Sequence, residues 1–143
     1  MGSLYEYGIL GSSDHIMALS LIGQGIKAVD SKSTDGYKQT VTDFQYKVKN
    51  FRLGYVPGVI RHHFHGSKKN RKYTERWQIL VNHLYDPLVH LDFDKENNKE
   101  NNKENNKKNG CKVLTPSTKC PKELITDIYK YFEERNEDEG YLE

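Results

Sequence analysis

The longest regular pattern of apolar positions runs through residues 37–51. Tyr37, Val41, Phe44, Val48 and Phe51 recur at spacings of four, three, four and three, which puts all five on one stripe of a helix. The stretch "SKSTDG" before it reads as a loop, and Gly54 is expected to stop the helix. Upstream, "YEYGILGSSDHIMALSLIGQG" starts as a short apolar strand or entry segment, turns at glycine and continues as another helix. Ser12 or Ser13 is the expected N-cap, because a hydroxyl there accepts an otherwise orphan N–H of the first turn. Ile16, Met17, Ala18, Leu19, Leu21 and Ile22 leave almost no polar face, so this helix is expected at the centre of the core, ending at Gly23 and Gly25.

After Gly54, "YVPGVIRHHF" combines β-branched residues with a Pro-Gly pair, which suits an interrupted or edge strand. Ser67 is the expected cap of the next helix, "KKNRKYTERWQILVNHLY", whose Tyr73, Trp77, Leu80, Val81 and Leu84 fall at helical spacing. Asp86 and Pro87 end it. "PKELITDIYKYFEER" reads as a last amphipathic helix, with Pro121 near its first turn and Leu124, Ile128, Tyr131 and Phe132 on one side, suited to docking on the body as a strap. Between these two, residues 95–110 repeat Lys, Asn and Glu with no apolar residue to bury. Such a tract cannot offset its own ordering entropy and reads as a flexible linker. The expected architecture is α+β: a helix-rich body over 1–94 with one or two short strands, a linker over 95–110, and a C-terminal helix with an acidic tail over 111–143.

Length and charge narrow this picture. A chain of 143 residues has room for one modest core. Its net charge of +2 is too small for a generic polyanion binder, yet residues 61–76 hold six Arg/Lys against one acid, and residues 133–143 hold six acids against Arg135. Electrostatic function therefore belongs to a patch, and the acidic tail is placed to fold back on it. Cys111 and Cys120 flank Pro116. With no N-terminal apolar run and cleavage site, reduced thiols, no disulfide and a cytoplasmic setting are the default expectation. No stretch approaches the roughly 18 apolar residues of a membrane span.

The candidate chemistry sits in "RHHFHGSKKNRKYTER" at 61–76. On a strand, Ile60, His62 and Phe64 share one face, and Arg61, His63 and His65 the other. His62 and His65 therefore meet one metal ion only if the strand breaks before the Gly66 turn. Two ligands also fall short of the three or four of a stable site, so by spacing alone these read as turn histidines. Lys68, Lys69, Arg71 and Lys72 occupy the first turns of the predicted helix, where cations oppose the dipole at a cost of about 0.3–1 kcal/mol each. That placement points to an anion such as phosphate, held by the helix N–H groups and these side chains together. A solvated basic face is the alternative. Nucleic acid is disfavoured, because Tyr73 and Trp77 read as core positions and not as stacking platforms.

"LGYVPGVIRHHFHGSKKNRKYTERWQIL", followed by "YDP", resembles the C-terminal segment of GT-A type glycosyltransferases of the galactosyltransferase-like branch. There a strand carrying G-x-I-x-H-x-x-H-G leads into R-x-Y-x-x-R on a helix. "ILGSSDHIMALSLIGQG" resembles the same family's acceptor-side motif, a glycine turn with an acidic residue opening a buried helix. The resemblance spans about residues 5–94, and the histidine motif is its most specific part. It implies a nucleotide sugar held through its diphosphate by a divalent metal, manganese or magnesium, and an acid that activates the acceptor hydroxyl in inverting members. Carried over, Asp14 is the acceptor-side acid, His62 or His65 the metal or diphosphate ligand, and Lys68, Arg71 and Arg76 the phosphate contacts.

The family's upstream nucleotide-binding half, with its D-x-D motif, has no counterpart here, and "DFD" at 92–94 follows the last core helix and abuts the polar tract. The implied protein is a helix-rich half of a GT-A domain, inactive alone or completed by a separate donor-binding protein or by oligomerisation. The alternative is a non-catalytic phosphate-binding, nucleic-acid-binding or interaction module built on the patch at 61–76. Taken singly, Asp14 is as well explained by a favourable helix dipole, and Arg76 by snorkelling along Tyr73 and Trp77. His83 and His90 read as surface or helix-end residues.

Overall fold

The stripe from Tyr37 to Val48 forms a helix, and the elements around it follow from what that helix has to bury. A computed structural model describes residues 4–59, 69–93 and 114–135 of the chain. In order they form α1 (Ser13–Leu21), a 3₁₀ turn (Gly25–Ala28), α2 (Asp35–Val48), α3 (Glu75–Asn82), α4 (Pro87–His90), β1 (Leu91–Phe93), β2 (Leu114–Pro116) and α5 (Lys122–Arg135). The fold is helix-rich α+β, with a two-stranded sheet and a C-terminal helix.

Thr34 fixes the start of α2. Its Oγ1 accepts from the Tyr37 N–H at 3.2 Å, as an N-cap does, and donates to the Tyr85 carbonyl at 2.7 Å. One side chain thus starts the helix and ties it to the segment after α3. Tyr37, Val41, Phe44 and Val48 are buried along the expected stripe, joined by Thr40, whereas Phe51 lies past the last turn and is exposed. Helix α2 ends at Val48, ahead of Gly54.

The core is unusually rich in tyrosine. Tyr5, Tyr37 and Tyr85 are buried, with ring centroids 5.6 Å apart for Tyr37 and Tyr85, and 5.5 Å for Tyr5 and Phe44. Buried hydroxyls need partners. The Tyr5 hydroxyl pairs with Thr40 Oγ1 at 2.8 Å and that of Tyr85 donates to the Tyr7 carbonyl at 3.3 Å, whereas that of Tyr37 has no hydrogen-bond partner among the described residues.

Helix α1 departs from its expected central place. It packs on one side against the 3₁₀ turn and α2, burying Ile16 and Ser20, while Ala18 and Ile22 face outward. Its apolar character exceeds what the described residues cover. Ser12 does occupy the N-cap position, but with φ 70°, and its hydroxyl does not cap the helix.

The third helix is also shorter than its pattern. Residues 69–74 form turns and α3 begins at Glu75, because Lys72 takes a positive φ of 41° that a helix cannot continue through. Leu84, expected in the core, sits past the helix end at φ 48° and is exposed, as is Tyr73. Asp86 and Pro87 do more than end α3: Pro87 is the first residue of α4, and the Asp86 carboxylate accepts from the Leu88 N–H at 2.9 Å.

Helix α5 docks on α3. It buries Leu124 and Tyr131, and the His83 Nε2–Asp127 Oδ2 contact of 2.7 Å closes one end. His83 and His90 are helix-end residues, as expected.

The sheet was not visible in the sequence. Strands β1 and β2 pair antiparallel in the register Leu91↔Pro116, Asp92↔Thr115, Phe93↔Leu114. Three residues a side are too few to show a period of two. Ser117 continues the clasp, its N–H reaching the His90 carbonyl at 2.9 Å and its hydroxyl the Val89 carbonyl at 2.7 Å. The flanks of residues 94–113, which include the Lys/Asn/Glu tract, are therefore hydrogen-bonded neighbours. The strand expected over 55–64 does not form in residues 55–59; Ile60 and Phe64 lie outside the described residues. Among the described residues, no helix is long and apolar enough to cross a membrane.

Candidate functional site

Residues 8–12 make a tight glycine turn that aims α1. The Gly11 N–H donates to the Gly8 carbonyl at 2.9 Å, and the Ser12 carbonyl accepts the first helical bond, from Ile16 at 2.9 Å. Gly11 has φ 91°, a conformation that favours glycine. A Cβ there would lie 2.9 Å from Arg76 Nη1, so the guanidinium would have to shift to admit one.

That guanidinium holds the turn. Arg76 Nη1 donates to the Leu10 carbonyl at 3.2 Å, and Nη2 donates to Ser12 Oγ. The planar fork suits this double contact in a way an ammonium does not. The Ser12 hydroxyl is thereby committed to Arg76, which explains why it leaves α1 uncapped.

Arg76 does not act alone. Its guanidinium carbon lies 5.1 Å from the centre of the Tyr73 ring, and that of Arg71 lies 5.0 Å from the same ring. Both arginines of the R-x-Y-x-x-R segment therefore attend one aromatic ring, a cation–π arrangement. The Nε atoms of Arg71 and Arg76 are buried without a hydrogen bond to the described residues. The Tyr131 hydroxyl donates to the Arg71 carbonyl at 3.0 Å, so α5 pins the segment from behind.

Between α3 and α5 lies a cleft of about 270 Å³, lined by Lys72, Arg76, Lys130, Tyr131, Glu134 and neighbouring residues. Small-molecule sites usually span about 300–1,000 Å³. The cleft lies at the small end of that range. Lys72 Nζ forms an ion pair with Glu134, whose carboxyl is held below its usual range by that hydrogen bond. This contact realises part of the expected approach of the acidic C-terminal end to the basic patch.

Of the residues singled out from sequence, Asp14 is exposed in the first turn of α1, two residues beyond the Arg76-bound Ser12. Arg71 and Arg76 come together at Tyr73. His62, His65 and Lys68 lie outside the described residues, as does Cys111; Cys120 is a half-buried free thiol, its pKa raised by burial. Among the described residues, no three metal-ligating side chains gather. Lys69 and Lys72 are not in the first turns of α3. Glu75 is there instead, an acid where the dipole favours one.

Sequence reasoning missed Ser12 as a partner of Arg76, and the α5 side of the cleft. The spacing of Asp127, Tyr131 and Glu134 by four and three was a signal of one helical face. No family model matches the chain, and no curated protein or solved structure matches it.

Proposed function

We propose that this chain is the acceptor- and diphosphate-side portion of a nucleotide-sugar transferase, which holds the diphosphate of the donor nucleotide and relies on a separate donor-binding partner for the rest of the site. The observation that carries the reading is the Arg76 clasp. The two segments that resemble the family's motifs are 64 residues apart in sequence at Ser12 and Arg76, and one guanidinium joins them.

In this reading, the Arg71 and Arg76 guanidinium groups, with Lys68, balance the charge that develops on the diphosphate leaving group. Asp14, in the helical turn that follows the clasped turn, accepts the proton of the acceptor hydroxyl as it attacks the anomeric carbon. His62 and His65 are the candidate ligands of a divalent metal, whose chemistry when bound is to neutralise the diphosphate. The described residues supply no third ligand, so the positioning and proton-accepting roles above are assigned to side chains alone. A general polyanion surface fits less well, because Lys72 is neutralised by Glu134, and Glu75 and Asp127 also line the cleft.

Isothermal titration of the chain with UDP and GDP, with and without manganese, at physiological salt tests this. The expected result is saturable, manganese-dependent binding that His62→Ala and His65→Ala weaken. Binding that ignores the metal and collapses with salt supports a simple phosphate module instead. No binding of either nucleotide under any condition overturns the reading.

A further inference from the structure

Arg71 carries a charge without a protein partner. It is half-buried with its Nε enclosed, yet its guanidinium makes no hydrogen bond and no ion pair with the described residues, and only the Tyr73 ring lies beside it. A cation partly withdrawn from water calls for an opposite charge. Its place beside Tyr73 is not one that a helix allows. On a continuous helix residues three apart are neighbours and residues two apart are not, so Tyr73 meets Arg76 and faces away from Arg71. The two arginines then point about 140° apart. The turn at 69–74 removes that separation and brings both guanidinium groups to one ring.

The turn has an identifiable holder. In a helix continued through this segment, the Arg71 carbonyl accepts from the N–H of Glu75. Here it accepts from the Tyr131 hydroxyl at 3.0 Å, and the next residue, Lys72, takes its φ of 41°. Tyr131 is only 2% exposed and shares α5 with the fully buried Leu124, so the donor is fixed from the body of the protein.

We infer that Tyr131 is the positioning residue of Arg71: its hydroxyl, bound to the Arg71 carbonyl, holds the turn that carries the Arg71 guanidinium to the side of Arg76. The ligand, a diphosphate, rests on the transferase reading, whereas the positioning stands on the geometry alone. The docked strap thereby becomes a condition of the site. Arg71 reaches the diphosphate only while α5 sits on α3, and by linkage an occupied site holds α5 in place.

Heteronuclear NMR of the full chain reads the positioning without any ligand, through the Nε–H signals of Arg71 and Arg76, which burial shields from exchange with water. In the wild type both are expected to be shifted by the ring current of Tyr73. Tyr131→Phe keeps the buried ring and removes only the hydroxyl. It is expected to move the Arg71 signal to its random-coil position, and to leave the Arg76 signal and amide exchange at residues 124–128 unchanged. Glu134→Gln, which removes the other tie between α5 and the turn, is expected to move neither signal. An Arg71 signal that stays in place in Tyr131→Phe, or that moves as far in Glu134→Gln, overturns the inference. Loss of exchange protection throughout α5 in Tyr131→Phe overturns it too, since the hydroxyl would then be a structural contact. Titration with inorganic pyrophosphate connects position to binding: Tyr131→Phe is expected to weaken it about tenfold, and equal affinity overturns the link between strap and site. A wild-type chain that binds no pyrophosphate counts against the transferase reading, and the NMR signals still decide the positioning.

Discussion

Residues 37–48 and 51–59 are neighbours with similar apolar content and opposite fates. In α2, Tyr37, Val41, Phe44 and Val48 are buried, whereas Phe51, Leu53, Tyr55, Val56 and Val59 all face outward. The difference is in the backbone. A helix satisfies its own N–H and C=O groups and asks its neighbours only for apolar cover, which Tyr5, Tyr85, α1 and α4 provide. A non-helical segment asks for hydrogen bonds as well, and no described element offers a free edge beside it. Apolar content decides what should be buried; backbone demand decides whether a small chain can bury it unaided.

The strongest way to probe the buried side of this comparison is alkaline pH. Burial pushes the Tyr5 hydroxyl up to about 12, and those of Tyr37 and Tyr85 higher still, from an ordinary value of 10.0. Their folded pKa values lie above the unfolded ones, so the stability they contribute is complete below pH 10 and is lost as pH rises toward the folded values. Each contributes a loss of about 1.4 kcal/mol per pH unit in that window. Thermal melts followed by circular dichroism from pH 8 to pH 12 are expected to show a steep fall in Tm beginning near pH 10. A flat profile would mean that the three rings are not held in the core.

Single truncations sharpen the contrast. Leu124→Ala removes a fully buried side chain between α5 and the core, and is expected to cost about 2–5 kcal/mol in urea unfolding. Val56→Ala removes a side chain of similar character, but its expected cost is under about 0.5 kcal/mol. Equal effects would abolish the distinction between the two regions.

How much of this was legible in sequence follows the same division. Helices α2 and α5 were readable because their periodicity reports a face that tertiary contacts then cover. The start of α3 was not, because Tyr131 holds the Arg71 carbonyl from 60 residues away and Lys72 sits at a positive φ. The solvent-facing side of α1 was hidden for a related reason: its composition reports how apolar it is and not how much of it other residues cover. The sheet escaped notice because each strand has three residues. In the candidate site, the residue types at Asp14, Arg71 and Arg76 were legible from the motifs, whereas the bonds from Arg76 to Leu10 and Ser12 depend on the fold.

Arg76 joins α3 to the turn at residues 8–12, adding two side-chain bonds to that turn's own backbone bonds. Arg76→Ala leaves the Leu10 carbonyl without that donor and frees the Ser12 hydroxyl, at an expected cost of about 1–3 kcal/mol. Hydrogen exchange is expected to quicken at residues 11–16 and to leave α2 unchanged. Arg76→Lys should recover only part of this, because an ammonium lacks the fork that reaches both acceptors. Full recovery with lysine would reduce the clasp to a point charge.

The smallest expected effect concerns Lys72 and Glu134, an exposed pair that ties the end of α5 to the turn before α3. The hydrogen bond from Lys72 depresses the Glu134 carboxyl below its ordinary 4.5. Its folded pKa is lower than its unfolded one, so the contribution is complete above pH 4.5 and disappears as pH falls through the folded value. Solvent and salt screen such a pair, and Glu134→Gln is expected to change Tm only slightly at neutral pH and not at all in high salt. The informative comparison is with Asp127→Asn, which weakens the half-buried His83 contact at the other end of α3. If Glu134→Gln instead frays α5 in hydrogen exchange as far as Tyr131, then the exposed pair and not the buried Tyr131 anchors the strap, and the rule that burial sets the ranking of contacts in this protein fails at its margin.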